Sequence, residues 1–151
     1  MKKLSLLLIL ATGILLLNCA RKTQEKINWE HNVEVAVEQA QENNKPIMVD
    51  FMAEWCPPCQ KMDKTTFSNP QLIEKAKKFI TVRIDVDQQR ETAVEYNGNA
   101  SKYGGLGIPN ILFLNSNNEK IRHILGYHSG DQLAAVMDSV LTGKYDNYPV
   151  K

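Results

Sequence analysis

Two cysteines three residues apart, Cys56 and Cys59, stand where an apolar run passes into a helix-like one, and this junction constrains the fold more than any other feature. Pro46 opens Ile47-Met48-Val49-Asp50-Phe51-Met52, a run suited to a strand buried on both faces. The segment from Cys56 to about Thr66 reads as a helix, with Pro57 and Pro58 in its first turn, where a missing N–H costs little. Cysteines at this spacing can close a small disulfide ring. Free N–H donors and the partial positive charge of a helix start stabilise a thiolate. Cys56 is therefore the expected nucleophile. Cys59, one turn further in, is expected to attack the resulting mixed disulfide and release the product.

Other uses of the motif find no companions. A zinc site would need a second pair of ligands, yet His31, His123 and His128 are scattered and no second Cys-x-x-Cys exists. Haem attachment needs His directly after the second cysteine, where Gln60 stands. A purely structural disulfide at this spacing would staple almost nothing, because stabilisation grows with loop length. No metal and no cofactor is expected beyond the redox-active Cys56–Cys59 disulfide itself.

Around this junction the chain alternates between elements. Val33, Ala36, Val37 and Ala40 predict an amphipathic helix ending near Asn43-Asn44. Asn69-Pro70 reads as an N-cap and first helical position for a helix to about Lys78, and Ile80 to Val86 as a strand. Gln88 to Tyr103 is weakly helical and interrupted at Asn97-Gly98. Asn110–Leu114 and Lys120–Leu125 predict an antiparallel hairpin turning at Asn115-Ser116-Asn117-Asn118. Leu133, Val136, Met137, Val140 and Leu141 mark a last helix, ended by Gly143. A βαβ half followed by a ββα half gives an α/β fold: a central mixed sheet with helices on both faces. A chain of 151 residues supports one such domain. A net charge of +1 without a basic cluster argues against nucleic acid as a partner.

The N-terminus has a separate purpose. Lys2 and Lys3 precede an apolar stretch from Leu4 to Leu17, too short to span a bilayer comfortably, so residues 1–18 read as an export signal. Leu16-Leu17-Asn18-Cys19 resembles a bacterial lipoprotein box, with Asn18 where that box usually carries Gly, Ala or Ser. Lipidation of Cys19 would account for the odd cysteine. The expected organisation is a signal over 1–18, a polar tether over 19–28, a domain over 29–143 and a tail over 144–151.

The segment from Val49 to Cys59, including Trp55-Cys56-Pro57-Pro58-Cys59, resembles the thioredoxin active-site segment. Lys45-Pro46, Thr66-Phe67-Ser68-Asn69-Pro70 and Gly107-Ile108-Pro109-Asn110-Ile111-Leu112-Phe113 resemble the C-terminal thioredoxin-like domain of the DsbD thiol:disulfide interchange proteins. The resemblance runs from about Trp29 to Gly143 and implies a thioredoxin fold. It also implies a cis Ile108–Pro109 bond beside the dithiol, leaving the Ile108 backbone to pair with a substrate strand. Trp55, Pro57, Pro58, Ile108 and Pro109 then form the substrate-binding rim. Asp50, costly inside an apolar strand unless paired or functional, would lie beneath Cys59 and relay its proton. The alternative for Asp50 is a structural aspartate bonded to backbone donors. Asp63 falls where DsbD-like domains carry an acidic residue near the dithiol, or is a solvated charge on the helix. The function implied is a membrane-tethered protein-disulfide reductase on the periplasmic face. Its substrates would be exported proteins and its electron donor a membrane-embedded thiol. A disulfide isomerase or oxidase of the same fold, or a non-catalytic module holding peptides or metal, remains the alternative.

Overall fold

The computed structural model describes residues 25–144. The expected signal, Cys19 with most of the expected tether, and most of the tail lie outside them. Helix α1 (Val33–Asn43) starts where the Asn32 side chain accepts a hydrogen bond from the Val35 N–H at 2.9 Å, and stops at Asn44 in the left-handed region. Strand β1 (Ile47–Met52) leads into α2 (Pro57–Thr65), then α3 (Pro70–Ala76) and β2 (Ile80–Asp85). The weakly helical stretch resolves into a short α4 (Arg90–Glu95) and a single 3-10 turn over Ser101–Tyr103. Strands β3 (Asn110–Leu114) and β4 (Lys120–Leu125) form the expected hairpin, and α5 (Gly130–Leu141) closes the fold.

The sheet order is β2-β1-β3-β4, with β1 parallel to β2 and antiparallel to β3. Because side chains alternate across a strand, β1 serves two cores. Ile47, Val49 and Phe51 join Val82, Ile84, Leu112 and the buried face of α1, together with Cys56 and Cys59. Met48 joins Ile111, Phe113 and the buried residues of α3 and α5 on the other face, together with Met62 of α2. Helix α2 thus crosses the end of the sheet, its first turn packed in one core and its second in the other.

Two close approaches lock the connections. A Cβ at Gly98 would collide with the Phe51 ring, so only glycine lets the loop after α4 lie on β1. Gly130 likewise lies against Asn69, whose side chain caps α3 by accepting from the Gln71 and Leu72 N–H groups. The packed body begins earlier than the sequence suggests. Ile27 is buried, the Thr81 hydroxyl donates to the Asn28 carbonyl at 2.6 Å, and Glu30 bridges to Val82 in parallel along the outer edge of β2. Ile27, a lone apolar residue in a charged segment, carries no periodicity that would announce its burial.

Candidate active site

Cys56 and Cys59 are joined in a disulfide and are almost fully buried, 2% and 3% exposed. Cys56 is the N-cap of α2, and its sulfur accepts from the Cys59 N–H at 3.3 Å. Pro57 and Pro58 supply no N–H, so Cys59 carries the first donor the helix can offer, and that donor faces Cys56 Sγ. The helix start thus holds the charge-stabilising geometry that a Cys56 thiolate would need.

Around the disulfide, Trp55, Pro57 and Pro58 are exposed, Ile108 is half-buried and Pro109 is buried. The Ile108–Pro109 bond is cis, and Ile108 packs against the core cluster that includes both cysteines. The pairing of Phe51 with Asn110 puts the Ile108–Pro109 bond at the same end of the sheet as the segment that carries Trp55, Pro57 and Pro58.

Asp50 is 2% exposed and sits directly beside Arg83 in the parallel β1–β2 register. Both side chains occupy the face that α2 covers with Met62 and Asp63. Arg83 Nε donates to Asp50 Oδ2 at 2.9 Å and Arg83 Nη2 lies 2.7 Å from the same oxygen. Nη2 also lies 2.7 Å from Asp63 Oδ1. The guanidinium stacks over the Trp29 ring at 4.4 Å and the Phe67 ring at 5.1 Å. Burial pushes the Asp50 carboxyl up to about 6; Arg83 opposes the rise and Asp63 adds a smaller one. Asp63 is thus neither isolated nor fully solvated, and Asp50 is a paired carboxylate rather than a solitary one.

Sequence reasoning passed over Arg83, because its partnership with Asp50 depends on strand register. The one available signal was a second ionisable residue inside an alternating strand. A second cluster was also missed. The Trp55 indole N–H and the Tyr103 hydroxyl both donate to the Asp87 carboxylate, and Lys102 Nζ lies 3.7 Å from the Trp55 ring centroid. These bonds, that from Tyr103 foremost, hold Asp87 below the usual carboxylate range. They fix an exposed tryptophan beside the disulfide.

A family model described as thioredoxin-like matches residues 28–116. The thiol:disulfide interchange protein DsbD of Campylobacter jejuni (strain RM1221) is 30% identical over 114 residues, which is 76% of this chain but 19% of that protein. The chain thus corresponds to about a fifth of such relatives. A thioredoxin from Alicyclobacillus acidocaldarius is 32% identical over 108 residues, covering 69% of this chain and 90% of its own length. Among solved structures, the oxidised Neisseria meningitidis DsbD c-terminal domain superposes with a TM-score of 0.59 at 21% identity, covering 74% of this chain and 98% of that one. A Thermus thermophilus thioredoxin gives 0.64 at 23% identity, covering 80% and 92%. At those identities the superpositions speak for the fold. Among the described residues no helix is long and apolar enough to cross a membrane.

Proposed function

The chain belongs to the thioredoxin-like family, and from that membership we propose that it is a protein-disulfide reductase serving exported proteins while tethered to a membrane through Cys19. The observation that carries the reading is the Cys56–Cys59 disulfide at the start of α2, with the Cys59 N–H aimed at Cys56 Sγ. Similarity to DsbD proteins supports the reducing direction and a membrane-embedded dithiol as the electron source. An oxidising compartment offers no soluble thiol pool to regenerate the pair.

The chemistry runs through two exchanges. The Cys56 thiolate attacks one sulfur of a substrate disulfide; that bond breaks, a Cys56–substrate disulfide forms, and the released substrate thiolate takes up a proton. Cys59 then gives its proton to Asp50, and its thiolate attacks Cys56 Sγ. The second substrate thiolate leaves and is protonated in turn. The substrate has gained two electrons and two protons, and the protein is left in the disulfide form described above. Asp50 suits the second step because a carboxyl titrating at about 6 is mostly ionised at pH 7 yet returns its proton readily. Trp55, Pro57, Pro58, Ile108 and Pro109 form the surface that receives the substrate strand, with the Ile108 backbone available for strand-like pairing.

The test is to trap the intermediate. Cys59→Ser should accumulate mixed disulfides with exported proteins, whereas Cys56→Ser should accumulate few or none. Equal trapping by the two variants, or the reverse order, would overturn the assignment of attacker and resolver. Equilibration of the wild-type domain against glutathione buffers decides the direction: a pair more reducing than the glutathione poise is expected. A pair that oxidises glutathione would make the protein an oxidase or isomerase.

A further inference from the structure

Two exposed aromatic side chains are tied to opposite edges of the sheet. Trp55 is bonded to Asp87, which follows β2 at one edge. Tyr127 follows β4 at the other, and the Gly126 N–H beside it donates to the Pro109 carbonyl at 2.8 Å. Each ring carries a lysine ammonium over its face. Lys102 Nζ lies 3.7 Å from the Trp55 centroid, and Lys61 Nζ 4.2 Å from that of Tyr127. The charges around the two pairs differ. Lys102 lies 3.8 Å from the Asp87 carboxylate, and Glu54, Asp85 and Asp87 line the cleft next to Trp55. Lys61 and Lys64 make no ion pair among the described residues, and Asp63 between them is paired with Arg83 instead.

Residues three apart on a helix are surface neighbours, so exposed Pro58, Lys61 and Lys64 form one row along α2, leading away from the disulfide. Tyr127 borders this row, its hydroxyl 3.2 Å from that of Thr65. The loop that carries the ring is pinned on both sides. Gly126 is bonded to Pro109, and the Thr66 hydroxyl donates to the His128 carbonyl at 2.5 Å. A fixed ring beside two unanswered ammonium groups, starting at Pro58 of the rim, has a plain chemical complement: an extended segment bearing carboxylates. The ring supplies contact area and the lysines supply attraction and orientation. Anionic lipid fits less well, because it takes clusters of about four to eight cations.

We propose that the outer row of α2, Pro58, Lys61 and Lys64, with the Tyr127 ring along its side, is a docking track for partner proteins whose exchanging cysteine is flanked by acidic residues. The proposal rests on the reading of Cys56 as the thiol that exchanges with partners. It does not rest on the direction in which electrons flow, because reduction and oxidation pass through the same mixed disulfide.

Short peptides with a central cysteine test it, flanked on both sides by aspartates, by serines or by lysines. Each is run in both directions by stopped flow, as oxidised dimer against the reduced protein and as thiol against the oxidised protein. Each rate is divided by that of the same peptide with uncharged 2-mercaptoethanol or its disulfide, which removes the effect of the flanks on the peptide's own reactivity. The aspartate peptide should lead the lysine peptide by about three- to tenfold at low salt, as two exposed charge pairs imply. The lead should collapse in about 1 M NaCl, where the screening length is about 3 Å. In Lys61→Glu/Lys64→Glu the order should reverse. That comparison is made within one protein, so a general loss of reactivity does not move it. Tyr127→Ala should slow the serine peptide by about two- to tenfold, and a rate equal to wild type would remove the ring from the surface. No lead in the wild type, or a lead that survives the double reversal, overturns the proposal and leaves exchange at Cys56 standing. Absence of exchange with every peptide in both directions overturns that reading as well. Binding to phosphatidylglycerol vesicles that is lost in the double variant, with the peptide order unchanged, would assign the lysines to lipid and overturn the proposal too.

Discussion

Asp50 carries a thermodynamic signature that can be read without any substrate. Its carboxyl is raised from 3.8 to about 6 in the fold, chiefly by burial. The native state therefore binds this proton more tightly than the unfolded chain does. The resulting stabilisation is fully present below the unfolded value and is lost as pH rises through about 6. A shift of this size corresponds to about 3 kcal/mol at most. In the oxidised protein, Asp50→Asn should remove the slope between about pH 4 and 7 and raise stability at pH 7 by about 1–3 kcal/mol. Urea unfolding across that range checks it, and identical slopes in the two proteins would defeat the argument. At the same scale, Asp87 makes a separate prediction. Asp87→Ala should free the Trp55 ring from its indole hydrogen bond, changing its fluorescence and weakening substrate capture more than the chemical step. A change in kcat with an unaltered KM would count against Asp87 as a support for the rim.

Among the elements, the connections are more sensitive than the strands. Asn69 caps α3 through two backbone N–H groups, and Asn69→Ala should cost about 1 kcal/mol. Gly98→Ala should cost about 1–3 kcal/mol, because the new methyl meets the Phe51 ring from a loop tied at both ends. Denaturant midpoints rank the two, and a neutral Gly98→Ala would mean that the loop yields easily. The sequence was most readable where burial is two-sided or periodicity strict. Ile47–Met52, Asn110–Leu114 and Lys120–Leu125 form strands with the expected limits. Prolines at helix starts marked α2 and α3 for the same local reason. The region between β2 and β3 was blurred because α4 is short and Ala93 is its one buried residue, so no apolar stripe exists to be seen. The dithiol was legible as a local motif. Arg83 was not, since only the pairing of Asp50 with Arg83 across two strands brings it to the site.

For the whole molecule, the prediction concerns anchoring. Processing before Cys19 and acylation of that residue should appear in mass spectra of protein extracted from membranes. An unmodified N-terminus in a freely soluble exported protein would refute it. The burial of Ile27 and the Glu30–Val82 bridge then acquire a mechanical meaning. They mark the point from which the chain is packed against the sheet. Eight Cα–Cα steps separate Cys19 from Ile27, a contour of about 29 Å at full stretch. If Cys19 carries the predicted acyl chains, a domain joined to lipid by so short a span would search a thin shell above the membrane rather than the width of the compartment. A dithiol embedded in that membrane would then meet it at a high effective concentration, which should fall if the span is lengthened. On that prediction, the entry point of the chain into the sheet edge would decide which reaction partners are neighbours and which must come by diffusion.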